Sequence, residues 1–451
     1  NTYPFMIKKI FSISLLCLVC VANAQEIKQL SLKDAVSYAL EYKADAQKSK
    51  LAIENSEYQI QEVRSRALPQ ITGNGSLVYN PILQTNVIDG SSFGQPGTVI
   101  QATLGQKWNS VFGVSLNQNL FDQSVYTGLK AAKTTREFYQ INNRLTQEQV
   151  IEKVANSYYQ VYLQRLNLQV LDSTLANTIK AKNIIEGQFQ NGLAKKIDLD
   201  RIIVKISNLE TQRLQINNAL QLQENTLKFF MGMPITAQIE IPEIEFEFRP
   251  SEVVSSPDTE NRSEYLLLKK QEQLLTYQKM AVKAEYYPTL SLTVGYNYLG
   301  QGPDLPWFKK PEDKVYWSDF SSIGLNLKIP IFAGFGTRSK VMQADIDLRI
   351  LQEDIKDTEL ALDLDYENAR TQINNSIATV NNQNENVRLA QAVLDNTRNN
   401  YVQGLAPLTD LLDAENALTE ARNNFNSAIL QYKLAEILLL KSKGELKSLT
   451  N

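Results

Sequence analysis

Thiols and imidazoles are the side chains from which metal centres and nucleophilic sites are most often built, and this sequence has almost none of them. There is no His, and the only two cysteines, Cys17 and Cys20, both fall in an apolar stretch near the start of the chain. If that stretch is a leader that is removed, the rest has neither thiol nor imidazole to ligate zinc or to act as nucleophile or base. The carboxylates are scattered, as on any helical surface, so no catalytic residue, metal site or cofactor is expected. With 46 Lys+Arg against 49 Asp+Glu, the balance gives no basic footprint for nucleic acid. A carrier, channel or scaffold is favoured over an enzyme.

The apolar stretch has the parts of a secretory signal. Lys8 and Lys9 follow Met6, Ile10 to Val21 are almost all apolar, and Ala22-Asn23-Ala24 precedes Gln25. A bilayer-spanning helix needs about 20 apolar residues, so residues 1–24 read as an exported leader rather than an anchor. Leu16 and Val19 stand where a lipoprotein signal would need a small residue. Residues 1–5 have no assigned role.

No later segment is apolar enough for a helical span, so any membrane contact must be made by strands. Four segments show period-two alternation, and they come as two hairpins. Leu290, Leu292, Val294, Tyr296 and Tyr298 alternate with Ser291, Thr293, Gly295 and Asn297. Ile323, Leu325, Leu327, Ile329 and Ile331 alternate with Gly324, Asn326, Lys328 and Pro330. Weaker copies run from Ile71 to Tyr79 and from Phe112 to Phe121, giving strands near 70–80, 108–121, 289–299 and 320–332. Alternation alone fits equally a water-soluble sheet with one buried face.

The pattern recurs because the chain is internally duplicated. Val63-Arg64 and Leu68-Pro69 correspond to Val282-Lys283 and Tyr287-Pro288 at an offset of 219. Gly192-Leu193-Ala194 with Asp198-Leu199 corresponds to Gly404-Leu405-Ala406 with Asp410-Leu411 at 212. Each half, 25–232 and 263–451, therefore reads helix, strand, long loop, strand, very long helix, tight turn, helix, with tip turns at 187–198 and 402–410. Residues 233–262, with Pro234, Pro242, Pro250 and Pro257 and the alternating Ile239, Ile241, Ile244, Phe246 and Phe248, form the joint, where a small strand patch is expected.

No Pro or Gly lies between Gly336 and Gly404, and only Gly128 and Gly187 lie between Asp122 and Gly192. Helices that fill these intervals rise roughly 100 Å at about 1.5 Å per residue. The last helix carries a heptad, with Leu411, Leu418, Phe425, Tyr432 and Leu439 in one position and Ala414, Ala421, Ala428 and Ala435 in the other, which permits close antiparallel packing. Leu199, Ile202, Ile206, Leu209, Ile216, Leu220 and Leu227 repeat the stripe in the first half, broken by Arg213. Val154, Val161, Leu168 and Leu175 continue the seven-residue step on the neighbouring helix. Heptads alone fit a periplasmic or surface coiled-coil scaffold or adhesin, which is the alternative to a duct. Strands in the same exported chain favour the duct. Four strands cannot close a barrel, since the smallest use about eight, so the chain must oligomerise. Two, three or four copies satisfy the sequence.

Taken in order and duplicated, these motifs resemble the TolC family of outer-membrane efflux proteins over essentially the whole chain beyond the leader. Leu30-Ser31-Leu32-Lys33-Asp34-Ala35-Val36 is similar to the family's first helix, Leu116 to Asp122 and Leu327 to Gly334 to its strand exits, and the two Gly-Leu-Ala turns to its hairpin tips. The resemblance implies a mixed fold of all-α plus transmembrane β: an internally duplicated protomer whose long antiparallel coiled-coil helices form a periplasmic α-barrel and whose four strands join a shared 12-stranded β-barrel in a homotrimer. It implies a passive outer-membrane exit duct for efflux or type I secretion, opened by a periplasmic adaptor (membrane fusion) protein and an inner-membrane efflux transporter or ABC exporter. Gly192, Leu193, Gly404 and Leu405 are then the adaptor-contacting turns, and Asp198, Tyr401, Asp410 and Asp413 the periplasmic gate, where symmetry gathers carboxylates and favours cations. The glycines have a plainer role as helix ends with positive φ, and Asp410 a plainer role at a helix N-terminus. Ala406 stands where the family usually has Arg, and Lys195 or Lys196 is the expected substitute.

Leu290, Leu292, Val294, Tyr296, Ile323, Leu325 and Leu327 are expected to face outer-membrane lipid. The long loops, roughly Asn80 to Lys107 and Gly300 to Asp319, are expected outside, with Trp307, Phe308, Tyr316, Trp317 and Trp108 as an aromatic girdle or lid. Asn374 to Asn386 reads as a solvated or lumen-facing helix side.

Overall fold

The computed structural model describes residues 28–94, 96–242 and 259–450. The leader and Ile244, Phe246 and Phe248 of the joint lie outside the described residues. In chain order the elements are β1 (Lys28–Gln29), α1 (Leu32–Tyr42), α2 (Ala44–Ser65), β2 (Gln70–Tyr79), β3 (Thr85–Asp89), β4 (Val99–Thr103), β5 (Trp108–Phe121), α3 (Gln123–Gln190), α4 (Lys196–Met231), β6 (Ile239–Glu240), α5 (Ser263–Ala284), β7 (Thr289–Gly302), β8 (Tyr316–Lys328), α6 (Gly336–Val402) and α7 (Leu408–Lys443).

The duplication is visible residue by residue. Helices α2 and α5 are both 22 residues long and start 219 positions apart, while α4 and α7 are both 36 residues long and start 212 apart. Both of the latter end on a glycine, Gly232 and Gly444, with φ of 74°. In each case the glycine and the next residue donate to the last turn, Met233 N to Lys228 O at 2.9 Å and Glu445 N to Leu440 O at 2.8 Å. This Schellman geometry needs a positive φ, which glycine adopts without steric cost.

Two compact units share the elements. One draws its described residues from Asn1–Ala52, Gln140–Leu267 and Asp354–Asn451, and the other is Ile53–Tyr139 with Leu268–Glu353. In the first unit the heptad predicted for α7 is the packing seam: Leu411, Leu418, Tyr432 and Leu439 are buried, as are Ala414, Ala421, Ala428 and Ala435. Phe425 is partly buried against Tyr366, Ala369, Ile373 and Val380 of α6. Between α3 and α7 the seam carries polar rungs one heptad apart, with Asn426 Nδ2 donating to Asn167 Oδ1 at 3.1 Å and the Thr174 and Thr419 hydroxyls 3.1 Å apart. The paired amides in this apolar seam favour one register, because a slip parts them, whereas each threonine hydroxyl also donates to the carbonyl four residues back, Val170 O at 2.9 Å and Glu415 O at 2.8 Å. A further cluster gathers Leu30, Val36, Ile151, Val154, Tyr158, Val161, Leu227 and Met231, all fully covered. Above it β1 pairs in parallel with β6, so part of the joint does form a small strand patch.

In the second unit a four-stranded antiparallel sheet has the order β2-β5-β7-β8. Among the described residues β2 and β8 pair on one side only, so the sheet has two open edges. The fourth strand departs from the alternation pattern. It begins at Tyr316 and stops at Lys328, leaving Ile329 and Ile331 outside, because Pro330 has no N–H to give to a ladder. Strands β7 and β8 also run further outward than expected, and the connection between them shortens to residues 303–315. The long connection 80–107 holds a hairpin of its own, β3 with β4, in addition to the four strands expected from alternation. Asn374, Asn375 and Asn386 are exposed on α6, in keeping with a solvated helix side.

Candidate functional site at the helix tips and on the sheet

The two tight turns are built alike. After α3, Gly192 has a φ of 74°, and Leu193 N donates to Gln188 O at 2.8 Å. After α6, Gly404 has a φ of 74°, and Leu405 N donates to Asn400 O at 2.8 Å. Leu193 and Leu405 are each thrust outward, 81% and 74% exposed.

Beneath the turns, α3, α4, α6 and α7 share one apolar cluster that includes Ile185, Ile202, Leu394, Leu408 and Leu411. Tyr401 is partly buried beside it. Burial, reinforced by the negative charge of Asp198, pushes the Tyr401 phenol above its ordinary pKa. Asp198, in the first turn of α4, lies 3.8 Å from Arg201. The structure thus brings Tyr401 and Asp198 into electrostatic reach across two hairpins. Asp410 and Asp413 sit in the first two turns of α7, and both are exposed. Lys195 and Lys196 are exposed and form no ion pair among the described residues.

The structure adds a charged contact across the hairpins that the sequence did not reveal. Lys205 of α4 places Nζ 3.6 Å from Glu415 Oε2 of α7 and donates to Leu412 O at 3.3 Å. Their side chains are only 12% and 8% exposed. Burial lowers the Lys205 pKa, opposed by the charges of Glu415 and Asp413. No local spacing signals this pair, because its members come from different halves. At the 212-residue offset the matching positions hold Ala417 and Ile203, so the contact exists once per chain.

The sheet is two-faced. In an antiparallel ladder directly opposed residues share a face, and the registers can be followed strand to strand. Ile71 opposes Leu116, Leu116 opposes Val294, and Val294 opposes Ile323. Leu292 opposes Leu325 and Leu290 opposes Leu327. All seven strand positions expected to meet lipid therefore lie on one face. Ile323, Leu325 and Leu327 are 80%, 68% and 58% exposed, and Tyr296 is 54% exposed. Leu290, Leu292 and Val294 are half-buried because β7 is an inner strand. The opposite face carries Thr72, Ser115, Gly295 and Ser322 in one row and Asn117, Thr293 and Gly324 in another.

Toward the outer end of the apolar face the side chains become aromatic. Tyr79 and Trp108 have ring centroids 4.5 Å apart, and Tyr298 stacks on Trp317 at 4.8 Å. The Trp317 ring lies over Gly300, where an added Cβ would meet it at 2.6 Å. Of the five aromatics expected at an interface, Trp108 and Trp317 lie on this face, whereas Tyr316 opposes Gln301 on the polar one. An apolar band topped by such a belt, with a polar reverse side, is what a strand wall between lipid and water requires. No helix among the described residues is long and apolar enough to cross a membrane.

Comparison with known proteins agrees with this geometry. The model of the family described as "Outer membrane efflux protein" matches residues 35–233 and again 261–445. The chain is 23% identical to the outer membrane protein TolC of Vibrio cholerae over 346 residues, 74% of this chain and 76% of that protein. It is 20% identical to the alkaline protease secretion protein AprF of Pseudomonas aeruginosa over 328 residues, 71% of this chain and 67% of that protein. The crystal structure of the outer membrane protein VceC from Vibrio cholerae superposes with a TM-score of 0.73 at 17% identity, over 92% of this chain and 96% of that one. On the strength of the doubled family match and the two-faced sheet, the chain belongs to the outer membrane efflux protein family, as an outer-membrane duct for efflux or secretion with a periplasmic helical extension.

Proposed function

We propose that the protein is the passive exit duct of a three-part export machine. Three copies close a 12-stranded barrel, and the helix tips form a gate that a periplasmic adaptor and an energised inner-membrane transporter open. The observation that carries this reading is the sheet with one apolar face and two open edges. Unpaired backbone groups in hydrocarbon cost several kcal/mol each, so each β8 edge must meet the β2 edge of another copy. Three-fold closure, with halves 25–232 and 263–451 meeting at the joint 233–262, follows the family resemblance. A coiled-coil scaffold has no use for a lipid-compatible sheet face.

At the gate, Asp410 and Asp413 of each copy converge and favour cations, while Asp198 and Tyr401 hold neighbouring tip helices together. Gly192-Leu193 and Gly404-Leu405 receive the adaptor, the exposed leucines supplying the apolar contact. Directional work comes from the inner-membrane partner, so the duct needs no cofactor. The test is single-channel conductance of the purified oligomer in a planar bilayer. The expected result is a cation-preferring current blocked by divalent cations, with the block lost in Asp410→Ala/Asp413→Ala. A block of undiminished strength in that variant overturns the gate assignment, and absence of any current overturns the duct.

A further inference from the structure

The connection 303–315 folds back toward the apolar face of the sheet. Trp307 Nε1 donates to Ser110 Oγ at 3.0 Å, and its ring centroid lies 6.5 Å from that of Phe112. Ser110 and Phe112 are both on that face, opposite Gly300 and Tyr298. The next residue does the reverse: Phe308 is 104% exposed and has a φ of 63°. A bulky aromatic in the left-handed region is a steric outlier, and this one gains no burial inside its own protomer to offset the strain. Among the described residues only Phe308, Lys314 and Phe335 combine a side chain with a positive φ. Phe335, which follows β8 as Phe308 precedes it, is also exposed, at 67%.

Two lysines follow Phe308 directly. Lys309 reaches Asp313 only at 3.9 Å, and the Lys310 ammonium forms no ion pair among the described residues. The segment Trp307-Phe308-Lys309-Lys310 thus continues the aromatic belt and adds two lysines where that belt ends, Lys309 beside Asp313 and Lys310 without an ion pair among the described residues.

We propose that Phe308, seated by Trp307, inserts into the headgroup region of the outer leaflet, and that Lys309 and Lys310 bind the phosphates of anionic lipid there. An aromatic ring at that level finds apolar surroundings on one side and water on the other. Lysine stems run along the apolar surface while their ammonium groups meet phosphate. The occupant is lipid because the segment is continuous with the lipid-facing wall. The proposal rests on the outer-membrane location and is independent of the tip gate.

The test places a bimane fluorophore on Phe308→Cys in a background lacking Cys17 and Cys20, with the oligomer reconstituted in vesicles. One set is phosphatidylcholine with acyl chains brominated near the headgroup, and a second adds one-third anionic phosphatidylglycerol. Expected is at least a two-fold quenching by bromolipid, deeper in the anionic vesicles, with the added depth lost in Lys309→Gln/Lys310→Gln. In the otherwise native chain, Phe308→Gly relieves the backbone strain, yet it should lower the heat stability of the oligomer in the bilayer and not in detergent. Absence of quenching in a preparation that still conducts overturns the anchor while leaving the duct intact. A blue-shifted label unaffected by bromine, as given by contact with a neighbouring copy, overturns it too, as does Phe308→Gly stabilising the oligomer equally in both media. Equal quenching in both vesicle types overturns the phosphate contact.

Discussion

Lys205 and Glu415 face each other across the two tip hairpins, nearly buried and 3.6 Å apart. Removing one partner strands the other charge, which costs about 3–5 kcal/mol, whereas replacing a buried pair by apolar groups is often neutral or stabilising. Lys205→Met and Glu415→Met should each weaken the helical unit markedly, and the double variant should recover most of the loss. Denaturant unfolding followed by circular dichroism, run as a double-mutant cycle, measures the coupling. Additive losses would mean the pair is not coupled.

On the sheet, the two faces predict opposite tolerance. Leu325→Arg places a charge against the hydrocarbon, at about 2–4 kcal/mol for a site near the midplane. Asn326→Arg, one residue on and on the polar face, should be accommodated. The fraction of heat-stable oligomer recovered from the outer membrane reads the difference, and equal yields would contradict the assignment of faces.

At the tips, shape and contact can be separated. Nothing lies within 4 Å of a Cβ added to Gly192 or Gly404, but both have φ of +74°. Gly404→Ala should therefore cost only the backbone term of about 1–2 kcal/mol, and Gly404→Asn less, because Asn visits this region more readily. Leu193→Asp/Leu405→Asp should leave folding and conductance unchanged while abolishing adaptor-dependent export in cells. Normal export by that variant would remove the docking assignment.

Tyr158 supplies a pH dependence. It is fully covered, its hydroxyl donates to Leu30 O at 3.1 Å, and burial pushes its pKa up to about 12. The folded state prefers the neutral phenol, so this contribution is complete below the unfolded pKa of about 10 and is lost as pH rises through the folded value. Melting temperature should fall between about pH 10 and pH 12, and Tyr158→Phe should flatten that slope at a cost of about 1 kcal/mol for the lost hydrogen bond. An unchanged slope would assign the alkaline sensitivity to other groups.

Periodicity made much of this fold legible. The heptad of α7, the four strands of the main sheet and the Gly-Leu-Ala turns all depend on local spacing and are readable from it, though the bounds of β8 are not. Nor are contacts between distant segments. Lys43 Nζ donates to Phe229 O at 2.8 Å, and Arg262 Nη1 donates to Ser442 O at 2.9 Å. These two cations stand 219 residues apart, the same offset as α2 and α5, and each reaches the carbonyl end of the last helix of one half. Neither is recognisable as a helix-end clamp before the helices are placed. The same holds for Lys205, whose role depends on a carboxylate in the other half, and for the aromatic belt, where Tyr316 and Trp317 fall in a stretch that reads as loop and take opposite faces because β8 begins at Tyr316.

In the proposed architecture identical copies complete the barrel wall. Native mass spectrometry of the protein extracted from outer membranes in detergent, paired with bilayer conductance of the same preparation, tests it most directly. The expected result is three copies and discrete current steps. A stable water-soluble monomer that carries no current would contradict it.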